Sequence, residues 1–135
     1  MTDMIKTHGI DHLGITVQDL SATVHFFTEL LGWSQFGGNP DYPAAYLTDG
    51  TSKLTVWQVK ETDYQDFNRH KNIGLHHFAL KISSREELLD AFEKVKNWPK
   101  VKVEFTPEFS GKGPKEHFMI REPGGTRLEF SFDPR

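Results

Sequence analysis

Hydrophobic and polar positions alternate in two similar stretches of this chain, residues 9–17 (GIDHLGITV) and residues 74–82 (GLHHFALKI). Alternation with a period of two is typical of a β-strand with one buried face. Each stretch is followed by apolar residues at helical spacing, beginning after Asp19 in the first half and after Ser84 in the second. These apolar residues are Leu20, Val24, Phe27 and Leu31, and then Leu88, Phe92 and Val95. Each half is therefore predicted to begin with a strand and a helix.

Three short strand-like segments follow each predicted helix, separated by turn residues. They are residues 33–36, 44–48 and 53–59 in the first half, and residues 101–105, 115–120 and 126–132 in the second. The Gly and Pro content of residues 106–114 indicates a loop. Each half is thus predicted to be β-α-β-β-β, which makes the fold class α+β. Because residues 60–72 are polar, we place the boundary there, with one module at residues 1–66 and the other at residues 67–135, within one compact domain.

Composition limits the classes of function. The 135 residues carry a formal net charge of −3, and the 16 Lys and Arg residues are scattered, so we expect no nucleic-acid partner. No apolar run is long enough to span a bilayer, and residues 1–6 lack the apolar core of a signal peptide, so we expect no membrane partner and a cytoplasmic location. Cysteine is absent, which leaves His and carboxylates for any metal site.

Side chains alternate between the two faces of a strand, and this alternation places three residues able to bind metal on the faces directed away from the helices. His12 and His77 occupy the fourth position of the two repeated stretches, and Glu129 lies on the polar side of the last strand. Two imidazoles and one carboxylate suit a divalent first-row metal such as Fe, Mn, Ni, Co or Zn. The alternative is that these are ordinary half-buried or solvated strand residues, although their related positions favour a shared site. His117, on the polar side of the preceding strand, is a fourth candidate for the same cavity.

The two His-bearing strands, the segment at residues 17–33 and the ending EPGGTRLEF at residues 122–130 resemble the glyoxalase, bleomycin-resistance and extradiol-dioxygenase superfamily, also called the vicinal oxygen chelate fold. The resemblance covers almost the whole chain. It implies two β-α-β-β-β modules in a U-shaped, half-open barrel around a divalent metal, a small-molecule substrate and a homodimer. By position, it implies metal ligands at His12, His77 and Glu129 and at residue 55.

Thr55 departs from the family pattern. Residues 50–56 align without a gap on residues 124–130, which makes Thr55 the counterpart of Glu129. Glyoxalase I-like members have Glu here, implicated in moving the substrate proton, whereas Thr is a poor ligand and no base. Members with two His and one Glu, including extradiol dioxygenases and fosfomycin-resistance thiol transferases, match this sequence better. His117 is the predicted catalytic base, since imidazole exchanges protons near neutral pH; the alternative is a strand histidine on a wet barrel wall.

Three functional hypotheses follow. The first is a metal-dependent enzyme acting on a small substrate with two neighbouring oxygens, by lyase, isomerase or dioxygenase chemistry. The second is a metal-free protein of the bleomycin-resistance type that sequesters a small molecule, against which the three retained ligands argue. The third is a regulatory or structural relic of the fold, because a shared fold does not guarantee shared chemistry.

Overall fold

The computed structural model describes residues 3–135 and contains the predicted β-α-β-β-β pattern twice. The first module consists of β1 (Leu13–Val17), α1 (Leu20–His25), a π-helical segment (Phe26–Leu30), β2 (Ser34–Asn39), β3 (Ala44–Thr48) and β4 (Lys53–Gln58). The second consists of β5 (Phe78–Lys81), α2 (Arg85–Val95), β6 (Lys102–Phe109), β7 (Glu116–Arg121) and β8 (Arg127–Phe132). The predicted α+β class is confirmed. The boundary between residues 66 and 67 lies in the connection from β4 to β5 and stays a prediction.

Each module has one four-stranded sheet, with strand order β1-β4-β3-β2 in the first and β5-β8-β7-β6 in the second. The pairs β1–β4 and β5–β8 are parallel, and the other pairs are antiparallel. A parallel pair requires a long connection between its strands, which the helix and two further strands provide in each module. Neither sheet closes on itself, so both remain open as a half-open barrel requires. The first and last strands of each module are therefore neighbours.

Both helices begin at the residues that the pattern predicted. Asp19 caps α1 by accepting a hydrogen bond from the Ala22 backbone N–H at 3.1 Å, and Ser84 caps α2 by accepting one from the Glu87 N–H at 3.1 Å. Such caps satisfy backbone donors that have no partner inside the helix. No helix within residues 3–135 is long and apolar enough to cross a membrane.

The hydrophobic core lies between the helices and one face of each sheet. Phe118 of β7 stacks on Phe130 of β8, with ring centroids 4.8 Å apart, and meets Phe92 of α2 edge-on at 5.2 Å. Burial of an aromatic side chain of this kind stabilises the fold by about 1.5–3 kcal/mol. Because side chains alternate along a strand, the neighbours His117 and Glu129 face away from the helices.

Strand β6 is longer than predicted, since it continues to Phe109 instead of ending at Phe105. Among the strands of residues 3–135 it pairs with β7 alone, which makes it an edge strand, and the pairing register shifts between Phe105 and Glu108. Proline is tolerated at edges and irregularities, where its missing N–H leaves no ladder bond unmade, which explains why Pro107 does not end the strand. The extension brings Glu108 opposite His117.

The two modules are joined by a buried carboxylate at the end of β7. Glu122 is 1% exposed and accepts hydrogen bonds from the Thr23 hydroxyl of α1 at 2.8 and 3.0 Å. The Gly124 N–H also donates to Glu122, and the Gln18 N–H donates to the Gly124 carbonyl at 2.9 Å. Burial raises the pKa of Glu122 to about 7, and the hydrogen bonds from Thr23 and Gly124 oppose that rise.

Candidate functional site

Three of the predicted site residues come together on the helix-free face of the second sheet. His77 immediately precedes β5, Glu129 lies in β8 and His117 lies in β7. The Nε2 atom of His77 is 3.0 Å from Oε1 of Glu129, and the Nδ1 atom of His117 is 2.8 Å from Oε2 of the same carboxylate. Glu129 therefore lies between two imidazoles, each of which meets a different carboxylate oxygen.

The Glu129 carboxylate sits in a largely buried position, with 7% of the residue exposed. An ionised carboxylate only accepts hydrogen bonds, so a nitrogen at 3.0 Å from it must either carry a proton or share a cation with it. A buried carboxylate that stays ionised also requires a compensating positive charge. The pairing of Nε2 of His77 with Oε1 of Glu129 fits a divalent metal, because a first-row ion accepts both a nitrogen and an oxygen donor.

His12 does not join this group within one chain. It immediately precedes β1, as His77 precedes β5, but its Nδ1 lies 2.8 Å from Oδ2 of Asp11 and 52% of its side chain is exposed. It lines a groove of about 270 Å³ together with Ala79. Within residues 3–135, no group of three or more His, Cys, Asp or Glu side chains is arranged to hold a metal ion.

Thr55 occupies the position in the first module that Glu129 occupies in the second. Thr55 pairs with Gly14 of β1 in the same register in which Glu129 pairs with Ala79 of β5. The Thr55 hydroxyl accepts a hydrogen bond from the indole N–H of Trp57 at 3.0 Å. This strand position therefore carries a neutral side chain that is already hydrogen-bonded, and the carboxylate at the matching position is present only in the second module.

The two ring nitrogens of His117 have different surroundings, and these surroundings fix the orientation of its imidazole. Its Nδ1 contacts Glu129, whereas its Nε2 lies 4.0 Å from Oε1 of Glu108, which is beyond hydrogen-bond distance. The Phe105 ring packs beside the imidazole at 4.8 Å between centroids. A proton on Nδ1 would be held by Glu129, which leaves Nε2 as the nitrogen able to accept a further proton.

Strand alternation places Arg127 on the polar face of the last strand beside Glu129, whereas no sequence pattern singled out Glu104 as a residue of this region. Arg127 is on the same side of β8 as Glu129 and is 6% exposed, and its Nε donates to Oε2 of Glu104 at 2.6 Å. Its NH1 group donates to the His76 carbonyl at 2.9 Å and lies 3.1 Å from Nδ1 of His76.

Comparison with known proteins gives a consistent family and fold. A family model described as the Glyoxalase/Bleomycin resistance protein/Dioxygenase superfamily matches residues 9–130. No curated protein matches the chain. Lactoylglutathione lyase from Agrobacterium tumefaciens is 18% identical over 94% of this chain and 96% of its own, with a TM-score of 0.69. A glyoxylase/bleomycin resistance protein/dioxygenase domain from Frankia sp. EAN1pec is 19% identical over 96% and 95%, with a TM-score of 0.78.

A mutant of the fosfomycin resistance protein FosX from Listeria monocytogenes is also similar in structure. It is 15% identical over 93% of this chain and 90% of its own, with a TM-score of 0.70. That structure is a complex with Mn(II) and 1S,2S-dihydroxypropylphosphonic acid. At this identity the similarity establishes a shared fold.

Proposed function

Because this chain belongs to the glyoxalase/bleomycin resistance protein/dioxygenase superfamily, we propose that it is a metal-dependent enzyme acting on a small substrate with two neighbouring oxygen atoms. The observation that carries the proposal is the 3.0 Å approach of Nε2 of His77 to Oε1 of the buried Glu129 carboxylate. One nitrogen and one oxygen donor so placed form two adjacent ligand positions for a divalent first-row ion. Mn(II) in the FosX structure is consistent with such an ion.

The third ligand is His12 of the partner subunit in a homodimer. Within one chain, His12 contacts Asp11 and is half exposed, and it makes no contact with the His77–Glu129 pair. The segment before β1 carries apolar side chains that are almost fully exposed, namely Met4, Ile5 and Ile10. A second copy of the chain that covers this segment would remove these side chains from water and bring its own His12 to the incomplete site.

A bound metal ion would act as a Lewis acid that stabilises negative charge on the substrate oxygens. The chain itself supplies a base, His117, whose Nδ1 is held by Glu129 and whose Nε2 accepts the substrate proton. Glu129 orients the imidazole and stabilises the imidazolium that forms after proton transfer. Lyase and isomerase reactions use such a base directly, so we place them ahead of dioxygenase chemistry for this protein.

Metal binding tests the proposal. Apo protein titrated with Mn(II), Co(II) or Zn(II) should bind one ion per chain, and His77→Ala and Glu129→Gln should each abolish that binding. The controls are His8→Ala and His70→Ala, which remove surface imidazoles and should leave binding unchanged. Equal and negligible binding in all five proteins would overturn the proposal. Stabilisation by small ligands in the presence of a chelator would instead support the sequestering alternative.

Subunit mixing tests the partner's contribution. His12→Ala and Glu129→Gln each disable every site, but a dimer that contains one chain of each type has one intact site if His12 is supplied across the interface. After full subunit exchange, about a quarter of the sites should bind metal, because half of the dimers are mixed. If mixing restores no binding while both variants remain dimeric, His12 does not act from the partner subunit.

A further inference from the structure

Four aromatic side chains of the first module form a continuous row. The ring centroids of Phe36 and Tyr46 lie 6.0 Å apart, and those of Tyr46 and Trp57 are separated by the same distance. Trp57 in turn meets Tyr42 edge-on at 4.9 Å. Phe36, Tyr46 and Trp57 belong to β2, β3 and β4, and Tyr42 lies in the turn between β2 and β3. We call these four residues the aromatic wall.

The aromatic wall lies on the face of the first sheet that is directed away from the helix. Leu54 and Val56 of β4 are 2% and 0% exposed in the core, so Thr55 and Trp57 of the same strand face the other way. Tyr46 pairs with Thr55 across β3 and β4 and shares that face. The rings are only partly buried, and Phe36 is 53% exposed. Part of this apolar surface is therefore open to a ligand.

The surroundings of the wall favour an uncharged group. The second module has the carboxylate of Glu129 where the first has Thr55, whose hydroxyl already accepts the indole N–H of Trp57. A Cβ at Gly37 would lie 2.8 Å from Cδ2 of Tyr46, so glycine at this position leaves room for the tyrosine ring. An apolar group that packs against Tyr46 and Trp57 would cover this neutral pair without removing a carboxylate from water.

Gly14 links the wall to the proposed metal site. A Cβ at Gly14 would lie 3.1 Å from Oγ1 of Thr55 and 3.7 Å from Nε1 of Trp57, so this part of β1 borders the wall directly. His12 precedes Gly14 by two residues, and residues so spaced on an extended chain lie about 7 Å apart on one face. The subunit that supplies His12 to the metal would therefore bring its own wall close to the metal.

We propose that the aromatic wall binds an aromatic ring of the substrate, carried next to the two oxygens that bind the metal. This inference rests on the proposed function, because His12 of the partner subunit places the wall beside the metal. Aromatic rings attract one another edge-on or offset at centroid distances of about 4.5–7 Å, and the rings of the wall already have this spacing. The ammonium of Lys60, 3.9 Å from the centroid of Tyr42, covers that end of the wall, which leaves Tyr46 and Trp57 as the main contacts.

Mandelate and lactate test this preference by calorimetric titration. They present the same hydroxyl and carboxylate oxygens, and mandelate has a phenyl ring where lactate has a methyl group. Zn(II)-loaded wild type should bind mandelate about 10- to 100-fold more tightly than lactate. Trp57→Ala and Tyr46→Ala should each reduce this ratio by about 3- to 10-fold and leave lactate affinity unchanged. The control Leu89→Ala, which removes a partly exposed apolar side chain from α2, should leave both affinities unchanged.

The NMR signal of the Trp57 indole locates the bound ring. In ¹⁵N-labelled protein this signal is identified by its loss in the conservative variant Trp57→Phe. Mandelate should shift it strongly, because the ring current of a phenyl group displaces the resonances of nuclei packed against it, whereas lactate should shift it little. The measurement needs no metal, so it also applies to the apo protein at millimolar mandelate.

The outcomes separate this inference from the proposed function. If the wild type binds no Zn(II), the proposed function fails, and the response of the indole signal to mandelate in the apo protein still decides whether the wall binds a ring. If Zn(II) binds but mandelate and lactate have equal dissociation constants, or if both alanine variants keep the full preference, the inference is wrong. Should the alanine variants not fold, the wild-type indole signal decides, and an unshifted signal with mandelate bound overturns the inference.

Discussion

Replacing Glu122 by Gln should change how the stability of this protein depends on pH. The Glu122 carboxyl is 1% exposed and binds Thr23 and Gly124, so the folded state holds it between α1 and the β7–β8 turn. Burial raises its pKa from the ordinary 4.5 to about 7. Gln has nearly the same shape and never ionises, so the substitution removes the titration and leaves most of the packing unchanged.

The sign and size of the effect follow from the linkage of protonation to folding. A carboxyl with a raised pKa in the folded state gives its full stabilisation below pH 4.5 and loses it as the pH rises through about 7. The difference between 7 and 4.5, at 1.36 kcal/mol per pKa unit, corresponds to about 3 kcal/mol. The wild type should therefore lose about 3 kcal/mol between pH 4 and pH 8.5 through this one group, and Glu122→Gln should not.

Urea unfolding of both proteins at pH 4 and pH 8.5 measures the effect. All other titrating groups contribute equally to the two proteins, so they cancel when the unfolding free energy of one is subtracted from that of the other. The stability of Glu122→Gln relative to the wild type should rise by about 3 kcal/mol from the lower to the higher pH. Glu86→Gln, which changes an exposed carboxylate in α2, should show a far smaller change. A constant difference between wild type and Glu122→Gln at the two pH values would show that Glu122 does not have a raised pKa in the folded protein.

Three further substitutions, each measured by urea unfolding, test the cap of α2, the packing of the β7–β8 turn and the hydrogen bond of Thr55. Ser84→Ala should cost about 1 kcal/mol because α2 loses its cap, and an unchanged midpoint would contradict that role. Gly124→Ala should cost about 1–3 kcal/mol, since the new Cβ would lie 2.6 Å from Cβ of Val17; a neutral change would mean that the turn shifts freely. Thr55→Val should lower the free energy of unfolding by about 1 kcal/mol in the wild type, because the indole N–H of Trp57 loses its acceptor. In a Trp57→Phe background, which lacks that donor, the same change should cost nothing; an equal cost in both backgrounds would contradict this role of the hydrogen bond.

Local patterns predicted the fold because the forces behind them are local. Asp19 and Ser84 mark the helix starts, since a short polar side chain can satisfy the first backbone donors without tertiary context. Strand alternation likewise placed His117 and Glu129 on one face and Phe118 and Phe130 on the other. The length of β6 was predicted wrongly, because whether Pro107 ends a strand depends on that strand lying at the sheet edge.

Contacts between residues far apart in the chain were beyond the reach of such patterns. Thr23 and Glu122 are 99 positions apart, and Glu104 and Arg127 lie on strands that are not neighbours in the sheet. No periodicity reports such a pairing, because it depends on how strands and modules are arranged in space. The approach of His77 to Glu129 was predictable only because the repeat indicated two similar modules. Metal binding by His12, His77 and Glu129 and the catalytic role of His117 stay predictions.

Anomalous diffraction from crystals loaded with Zn(II) would locate the metal ion and its ligands. We expect one peak per chain about 2.0–2.2 Å from Nε2 of His77 and from Oε1 of Glu129, with His12 of the partner subunit as the third protein ligand. A fully loaded crystal with no peak between His77 and Glu129, or with zinc bound only by other residues, would contradict the proposed metal site.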